Sequence, residues 1–359
     1  MINIFDEASS VLNSVVKEDM IQISSADLPW ELLRKKRVLV TGGGGFLGAY
    51  LIKALLTIGR LYKLDLEVIC VARSLRGVNS RLSAYLDAPE FSVFLHDISL
   101  PLPDSFPRAD FVVHAASQAS PKYYGVDPVG TLKANTSGTM NLLEYGIKTN
   151  ADRFLFFSSG EVYGEPLDFS RSIDEDTYGY LDPMNVRSCY SESKRMGETM
   201  CVAWAKQYGL HINVVRPFHT YGPGMELDDG RVFADFVADV VAKRDIILKS
   251  DGLAQRSFCY IADATLGFLT VLLAGEKAEA YNVGNPGAEI RIRELAKLIA
   301  TLFPEREIEV QFNLMKSSGS YLKSPVLRSC PSIEKISRLG WRPTIGLRDG
   351  FSRTIKSYL

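Results

Sequence analysis

Residues 37–48 read RVLVTGGGGFLG, a short apolar run followed by a glycine-rich turn. The apolar run is typical of a buried strand, and residues 47–58 then follow helical periodicity. Glycines between a strand and a helix permit a tight turn and the close approach of a pyrophosphate, which the free N–H groups of the helix N-terminus attract. Gly42, Gly45 and Gly48 have the spacing of such a turn, so the segment predicts dinucleotide binding.

Further apolar segments follow at intervals along the chain, and helical patterns separate several of them. We predict strands at 67–71, 91–95, 111–114, 154–157 and 212–215, and helices at 132–148 and 190–208. Strands that alternate with helices imply a parallel sheet covered on both faces. Right-handed crossovers then give a Rossmann-type, doubly wound α/β fold.

The pattern divides the chain into three parts. Residues 1–36 are predicted to be an N-terminal extension with a helix or two, and residues 37–217 a Rossmann dinucleotide-binding domain. Residues 218–359 are predicted to form mainly a smaller C-terminal α/β lobe, partly interwoven with the first domain. The expected elements there are strands at 246–248 and 281–283 and helices at 263–273 and 292–303.

The composition excludes several classes of protein. The 359 residues are 46% hydrophobic and carry 41 basic and 42 acidic side chains, a net charge of -1. This balance favours neither a nucleic acid nor a membrane surface as a partner. The five cysteines and four histidines are scattered, which predicts buried thiols in a reducing compartment and no metal site. No signal-like start or 18-residue apolar run is visible, so a cytoplasmic location is expected.

The predicted helix at 190–208 begins with a tyrosine and a lysine four positions apart. On a helix Tyr190 and Lys194 share a face, so both would point into one pocket. A lysine ammonium beside a phenol favours the phenolate and lowers its pKa. A tyrosine tuned in this way can take a proton from a sugar hydroxyl or return one, and the lysine can also hydrogen-bond a cofactor ribose.

The ends of the second, third and fourth predicted strands add candidate cofactor contacts. Arg73 occupies the place where an acidic residue would select NAD, so it either meets the 2′-phosphate of NADP, stacks on adenine or faces solvent. Asp97 and Ile98 lie where adenine is expected. The small residues Ala115, Ala116 and Ser117 would let a cofactor pass close to the backbone.

The fifth strand ends in a second polar group. In a doubly wound sheet the carboxyl ends of the strands line the ligand crevice. Ser159 is therefore placed to hold a substrate hydroxyl alongside Tyr190, and Glu161 to act as an acid, a base or a hydroxyl anchor. The alternative is that these residues only cap a helix or form a turn.

Taken together, these motifs resemble the extended short-chain dehydrogenase/reductase superfamily. The resemblance rests on TGGGGFLG (41–48), HAAS (114–117), NTSGT (135–139), SSGEVYG (158–164), YSESK (190–194) and RPF (216–218), in the expected order. It implies a lobe that holds a nucleotide-diphosphate sugar, a homodimer built on paired helices, and NAD or NADP that stays bound and is recycled. The implied cofactor-binding residues are Gly42, Gly45, Phe46, Leu47, Gly48, Arg73, Asp97, Ile98, Ala115, Ala116, Ser117, Asn135, Tyr190, Lys194 and Pro217.

Within the superfamily, several stretches are similar to UDP-glucuronate decarboxylases. They are SPKYY (120–124), RSCY (187–190), KRMGETMC (194–201), DGRV (229–232) and RSFCY (256–260). The similarity implies that Ser159, Glu161, Tyr190 and Lys194 are catalytic. It also implies substrate contacts from Lys122, Tyr124, Arg187, His219, Arg231, Arg256 and Arg328. Guanidinium groups suit phosphate bidentately, so Arg231 and Arg256 are expected at the diphosphate or nucleotide.

Three positions depart from the pattern. Gly160 stands where these decarboxylases carry serine and dTDP-glucose 4,6-dehydratases carry the aspartate that expels water, which disfavours dehydration of that kind. His219 replaces an asparagine and Gly224 an arginine. Simple 4-epimerases usually lack a glutamate at the position of Glu161, and Arg328 lies near an arginine that handles the substrate carboxylate in the decarboxylases.

These observations favour an enzyme that oxidises a nucleotide sugar at C4 and decarboxylates UDP-glucuronate to UDP-xylose. One alternative is an epimerase or dehydratase that works through the same 4-keto intermediate on another nucleotide-diphosphate sugar. A cofactor-binding regulator without catalysis is a further alternative, and it is disfavoured because Ser159, Tyr190 and Lys194 are intact.

Overall fold

The structure, a computed structural model, describes residues 13–313 and 326–359. The first 12 residues of the predicted N-terminal extension therefore lie outside the described residues. The strands are β1 Arg37–Thr41, β2 Glu67–Ala72, β3 Phe91–Leu95, β4 Phe111–His114, β5 Arg153–Phe157, β6 Ile212–Pro217, β7 Thr220–Tyr221, β8 Ile246–Leu248, β9 Gln255–Ser257, β10 Cys259–Tyr260, β11 Ala280–Val283, β12 Glu289–Arg291, β13 Val310–Phe312 and β14 Arg328–Ser329.

Helices connect most of these strands. They are α1 Ser14–Ser24, α2 Phe46–Leu61, α3 Leu75–Leu82, α4 Pro121–Val126, α5 Pro128–Asn135, α6 Ser137–Lys148, α7 Ser188–Tyr208, α8 Val232–Val241, α9 Ile261–Ala274, α10 Ile292–Ala300, α11 Glu334–Ser337 and α12 Leu347–Lys356. Short 3₁₀ helices span Trp30–Leu33, Ser83–Tyr85, Gly160–Tyr163, Pro286–Ala288 and Pro304–Arg306.

Seven parallel strands form the central sheet in the order β11-β6-β5-β4-β1-β2-β3. Six of them follow the 3-2-1-4-5-6 order of a doubly wound fold, which confirms the predicted fold class. Strand β1 lies in the middle, where Val40 is opposite Cys70 on one side and Val113 on the other. The glycine turn therefore leaves the sheet at its centre.

The side chains of β1 show why helices cover both faces of the sheet. Successive residues of a strand point to opposite faces. Val38 and Val40 belong to the core that α2 and α9 cover, whereas Leu39 belongs to a second core beneath α6 and α7. All three side chains are fully buried, as expected for a parallel sheet with two covered faces.

The predicted helix at 132–148 is wrong as a single element, because the chain breaks at Thr136. The N–H and hydroxyl groups of Thr136 both bond to the carbonyl of Leu132 and close α5, and α6 begins one residue later. A threonine hydroxyl can compete for helix carbonyls in this way. Helix α5 also begins before residue 132, at Pro128, where the Asp127 side chain accepts from the N–H of Gly130.

The second lobe contributes directly to the central sheet. Strand β11, expected in the C-terminal lobe, pairs in parallel with β6 and forms the edge of the seven-stranded sheet. The remaining short strands form three small sheets, β10-β7, β12-β9-β14 and β13-β8. The residues on either side of the predicted boundary at 217 are thus joined by main-chain hydrogen bonds as well as by packing.

Helix α1 lies on the main body and packs against α2 and α9. Its apolar residues Val16, Met20 and Ile23 are buried in the larger core. Across the described ranges 13–313 and 326–359, no helix combines the length and apolar character needed to span a membrane.

Candidate active site

A cavity of about 1790 Å³ opens at the carboxyl ends of the central strands. Residues from the ends of β2, β5 and β6 line it together with the glycine turn, which is the crevice position expected for this fold. A single small-molecule pocket usually measures about 300–1,000 Å³. The cavity is therefore large enough for a dinucleotide and a nucleotide sugar side by side.

The glycine turn has the geometry of a phosphate cradle. Gly42 has a φ of +68°, and a Cβ atom there would lie 2.7 Å from the Cα of Ala116. A Cβ atom on Gly48 would lie 2.5 Å from the carbonyl oxygen of Gly42. Helix α2 begins at Phe46 without a side-chain cap, and Phe46 and Leu47 line the cavity. Free N–H groups at a helix N-terminus suit an anionic pyrophosphate, so the turn fits the predicted cofactor.

The residues predicted to surround the adenosine half of the cofactor also line the cavity. They are Arg73, Asp97, Ile98, Ala115, Ala116 and Ser117. Burial acts to raise the pKa of the Asp97 carboxyl, but hydrogen bonds from the backbone and hydroxyl groups of Ser99 hold it below its usual range. Asp97 is therefore an ionised acceptor at neutral pH, close to the guanidinium of Arg73.

Tyr190 is buried in the wall of the cavity, but its pKa is shifted in the direction opposite to the prediction. Burial raises the pKa of the phenol to about 12, and a hydrogen bond with the Ser159 hydroxyl opposes the rise. The ring stacks on Tyr124 with a centroid distance of 5.1 Å and an interplanar angle of 16°. The loss of hydration thus outweighs the expected effect of Lys194.

Lys194 shows why its ammonium does not lower the phenol pKa. The side chain is buried, and this burial lowers the pKa of the amine to about 7 although Glu198 and Cys201 act to raise it. Near neutral pH the amine is therefore only partly charged. Its Nζ lies 5.8 Å from the Tyr190 ring centroid and donates to the carbonyl of Phe157 at 2.6 Å.

Ser159 and Glu161 form a helix cap and also line the cavity, so the structural and the functional interpretation of this group both apply. The Ser159 hydroxyl accepts from the N–H of Glu161 at 3.1 Å and so caps the short 3₁₀ helix, while both residues line the cavity. The Glu161 carboxylate pairs with Arg187 at 3.3 Å and accepts from the Ser191 hydroxyl at 3.3 Å. The Ser159 hydroxyl therefore bonds to Tyr190, and the charge of Glu161 acts on the same phenol.

The absence of a side chain at Gly160 has a local explanation. A Cβ atom at this position would lie 3.2 Å from three carbons of the Phe218 ring. This contact is tighter than ordinary van der Waals packing, so a larger residue would have to push the ring aside. Phe218 itself lines the cavity, and it occupies the space beside the 3₁₀ helix.

Two further cationic residues, Arg231 and Lys122, line the cavity and were predicted to contact the nucleotide sugar. Arg231 pairs with Asp229 at 3.1 Å and donates to the carbonyl of Ala119 at 3.1 Å. Lys122 lies 3.8 Å from both Glu226 and Asp228. These side chains form a polar rim that could exchange its internal contacts for a phosphate.

His219 lies between two of the predicted substrate-binding arginines. The pKa of its imidazole is lowered to about 3, mainly by burial and in addition by the charges of Arg256 and Arg231. The imidazole is therefore neutral at physiological pH. Its Nδ1 atom is buried and has no hydrogen-bond partner among the residues that the structure describes, and the residue lines the cavity. This orphaned atom marks a position at which a ligand polar group would be satisfied.

The structure does not bring Arg328 into the cavity. In the parallel pairing of β14 with β9, Ser329 lies opposite Arg256, and these two residues line the cavity. Because side chains alternate along a strand, Arg328 points to the other face, where it pairs with Glu289 at 2.6 Å. It also donates to the carbonyls of Phe169 and Arg171. The expectation that Arg328 contacts the substrate does not agree with this geometry.

Asn135 is also placed away from the cavity. It is fully buried on α5, and its amide donates to the hydroxyl of Ser193 on α7 at 2.9 Å. In this arrangement it joins two helices behind the site and does not face a dinucleotide. The other predicted residues, including Pro217, Tyr124 and Arg187, line the cavity.

Several cavity residues carry no motif that sequence reasoning could have recognised. Arg81 donates to the carbonyls of Gly44 and Gly224, both at 3.1 Å, and so connects α3, the glycine turn and the second lobe. Gln118 and Glu226 also line the cavity. Tertiary contacts alone bring these residues together, so local spacing gave no signal for them.

The fold and site together define a class of protein. A tyrosine and a lysine on one helix, a serine after β5 and a glycine turn after β1 share a single cavity, as in dinucleotide-dependent short-chain dehydrogenases and reductases. Residues 38–284 match the model of the NAD dependent epimerase/dehydratase family. The match covers more than half of the chain, and the chain belongs to this family, whose members are enzymes.

Individual relatives agree with this assignment. The chain is 36% identical over 316 residues to UDP-glucuronic acid decarboxylase 6 of Arabidopsis thaliana, which covers 88% of this chain and 86% of that protein. A dTDP-glucose 4,6-dehydratase double mutant, DesIV of Streptomyces venezuelae, solved with NAD bound, superposes with a TM-score of 0.76 at 26% identity over 90% of this chain and 96% of that chain. The NAD complex of UDP-glucose 4-epimerase from Thermus thermophilus superposes with a TM-score of 0.73 at 26% identity. The superposition covers 90% of this chain and 98% of that chain.

Proposed function

We propose that the protein decarboxylates UDP-glucuronate to UDP-xylose through transient oxidation at C4. The observation that supports this most strongly is the group of Ser159, Tyr190, Glu161 and Arg187 in one cavity with the glycine turn. The similarity to UDP-glucuronic acid decarboxylases over most of the chain supports the same substrate. Neither observation depends on the position of Arg328.

NAD, which the glycine turn and the residues after β2 and β4 would hold, would supply the acceptor and later the donor of the C4 hydride. In its phenolate form, which the positive charge of an oxidised nicotinamide would favour, Tyr190 would accept the proton of the C4 hydroxyl. The Ser159 hydroxyl would hold the Tyr190 oxygen by a hydrogen bond. The resulting 4-ketone weakens the bond between C5 and its carboxylate, which leaves as carbon dioxide. Glu161, whose charge acts on Tyr190, would relay to C5 a proton taken from water.

The substrate carboxylate and diphosphate need cationic partners. Arg187 lies over the Tyr124 ring, and Lys122 is on the same helix, α4, as Tyr124. Arg231 and Arg256 both lie close to His219. We assign the first pair to the carboxylate and the second to the diphosphate, because guanidinium forks bind phosphate bidentately. His219, which is neutral between the two arginines, would offer an uncharged hydrogen bond beside them.

The decisive test is incubation of the purified protein with a panel of nucleotide sugars, followed by mass spectrometry of the products. Conversion of UDP-glucuronate to a product lighter by one carbon dioxide supports decarboxylation. Loss of one water from another sugar would indicate dehydration, and an unchanged mass with altered stereochemistry would indicate epimerisation. Either of these results without decarboxylation would overturn the proposed reaction in favour of that alternative.

We also propose that the cofactor site accepts NADP in addition to NAD. NAD is supported by the family and by the NAD-bound neighbours. Arg73 and Arg76 are exposed side chains at the cavity, close to the end of β2, and would suit a 2′-phosphate. Replacing Arg73 with alanine should weaken NADPH binding about tenfold and leave NADH binding nearly unchanged. Equal effects on both cofactors would contradict the proposal.

A homodimer is the third proposal. Helices α5, α6 and α7 pack against one another and expose large apolar side chains, among them Leu132, Met140, Met196 and Val202. Exposed apolar groups on neighbouring helices support an interface between copies of the chain, in agreement with the paired helices implied by the superfamily resemblance.

All five cysteines are free thiols, which supports a reducing compartment such as the cytoplasm.

A further inference from the structure

Two segments far apart in sequence close one side of the cavity. Asn13 and Val16, at the start of α1, and Ser357 and Tyr358, after α12, line the same cavity as the glycine turn. We call these four residues the terminal cover. All four lie outside residues 38–284, the part of the chain that the family model matches.

Direct hydrogen bonds join the two halves of the cover to each other and to the second lobe. The Asn13 amide donates to the carbonyl of Ser357 at 3.2 Å. The Tyr358 hydroxyl donates to the carbonyl of Met225. The side chain of Asn13 also caps α1 by accepting from the N–H of Val15 at 2.9 Å. The cover is thus built from contacts that depend on both ends of the described chain.

A buried ionic group fixes the two helices that carry the cover. Asp19 on α1 is completely buried and accepts from Arg353 on α12 at 2.7 Å and from Tyr260 at 2.8 Å. The Tyr50 hydroxyl on α2 donates to the same carboxylate. A buried carboxylate needs such partners, so α1 and α12 are held together on the main body.

Arg81 connects the cover to the cofactor cradle. Its guanidinium donates to the carbonyl of Gly44 in the glycine turn and to that of Gly224, one residue before Met225. It also pairs with Glu226 at 3.2 Å. Tyr358 is therefore separated from the glycine turn by a single bridging side chain and one short loop, which places the cover beside the phosphate-binding end of the cavity.

We propose that the terminal cover contacts the bound dinucleotide and slows its release. This inference rests on the proposed function in one respect, namely that a hydride taken from the sugar returns to the same molecule. A cofactor used in this way must remain bound between the two transfers. A wall of the cavity formed by the start of α1 and the residues after α12 meets that requirement, because both helices would have to move before the cofactor could leave on that side.

Two charge variants test the inference with a matched control. Asn13→Asp keeps a good helix cap but places a carboxylate in the cavity wall facing an anionic cofactor. Ser14→Asp adds the same charge one residue further on, at an exposed position that does not line the cavity. We expect NADH to dissociate roughly three to ten times faster from the Asn13→Asp variant than from the Ser14→Asp variant, with a smaller difference at high salt.

A second pair tests the other half of the cover. Tyr358→Ala removes a cavity-lining ring, and Leu359→Ala removes an exposed side chain next to it that does not line the cavity. Release of NADH is followed by its fluorescence during displacement with excess NAD, and thermal melting of each variant verifies folding. The inference is overturned if both cover variants release NADH at the rates of their controls.

Hydrogen exchange of the unmodified protein gives an independent measurement. NADH should slow amide exchange in peptides covering 13–24 and 347–359, as well as in the glycine turn. Protection confined to the glycine turn would contradict the inference and leave the proposed reaction intact. A wild-type protein that binds neither NADH nor NADPH would instead refute the cofactor assignment, and the cover with it.

Discussion

At the scale of single residues, the site contains two buried side chains, Tyr190 and Lys194, whose pKa values are shifted in opposite directions. Burial raises the pKa of Tyr190 to about 12 and lowers that of Lys194 to about 7. Both shifts favour the neutral form, so the phenol proton is held more firmly than it would be in water. The hydrogen bond with Ser159 is the contact that opposes this effect at the phenol oxygen.

The first prediction concerns the hydroxyl of Tyr190. The Tyr190→Phe variant should lose about 10²–10⁴-fold in turnover, because a positioned acid–base group contributes roughly this factor. NADH binding should remain, since the ring and its stacking on Tyr124 are kept. Turnover and NADH titration should be compared with a Tyr180→Phe control, in which an exposed tyrosine at the cavity changes in the same way. Equal activities of the two variants would disprove the assigned role.

The second prediction concerns the stability cost of burying Lys194. Its pKa is about 7 in the folded protein against an ordinary 10.5, so between these values the unfolded chain binds more protons. The contribution of Lys194 to the free energy of unfolding therefore rises with pH between about 7 and 10.5 and is lowest below pH 7. The Lys194→Met variant should lack this pH dependence of stability. Loss of the hydrogen bond to the Phe157 carbonyl changes the free energy of unfolding by an amount that does not depend on pH.

Urea unfolding at pH 7, 8 and 9 measures that difference. The free energy of unfolding of Lys194→Met, relative to wild type, should be greatest at pH 7 and fall by at most about 1.4 kcal/mol per pH unit. A relative stability that does not change with pH would show that Lys194 titrates normally in the folded state.

At the scale of elements, the structure depends on the attachment of α1 to α12. Arg353→Met would leave the carboxylate of Asp19 buried without its ionic partner, with the hydroxyls of Tyr50 and Tyr260 as its remaining side-chain donors among residues 13–313 and 326–359. We expect a loss of about 3 kcal/mol in the free energy of unfolding. Arg348→Met, an exposed change on the same helix, should stay within about 0.5 kcal/mol of wild type.

A double-mutant cycle distinguishes charge burial from lost packing. Combining Asp19→Asn with Arg353→Met removes both charges, so the combined loss of stability should be clearly smaller than the sum of the two single losses. Additive losses would indicate that the arginine stabilises α12 through its aliphatic stem alone.

Sequence reasoning succeeded where periodicity or a local motif was sufficient. The strands at 91–95 and 111–114 have the predicted bounds, and Tyr190 and Lys194 share a helix face as their spacing required. It failed where a single hydrogen bond or a one-residue register decides the outcome. The Thr136 hydroxyl divides a helix, and the register of β14 turns Arg328 away from the cavity. Neither effect has a periodic signature.

At the scale of the whole molecule, the contacts that complete the site join distant parts of the chain. Arg81 and Tyr358 contact the same loop although they are far apart in the sequence. Contacts of this kind depend on how the helices pack, which composition and spacing do not specify. The sequence therefore predicts the centre of the site, around the glycine turn and Tyr190, better than its walls.

The last prediction concerns association between copies of the chain. If α5, α6 and α7 form the interface, Met196→Asp combined with Val202→Asp should raise the dimer dissociation constant at least about 100-fold, since buried charges are strongly disfavoured at an interface. Light scattering during size-exclusion chromatography gives the mass. Ile247→Asp, on an exposed apolar residue of the second lobe, should remain dimeric. A monomeric wild type at micromolar concentration would contradict the prediction.

Strand β11 has a consequence for how this chain can be divided. It supplies the outermost partner of β6, so a fragment ending at residue 217 would expose the main-chain groups of β6 as an unpaired edge. A fragment beginning at residue 218 would carry a strand with no neighbour to pair with. The two halves should therefore refold together or not at all, and expression of either half alone should yield aggregated material.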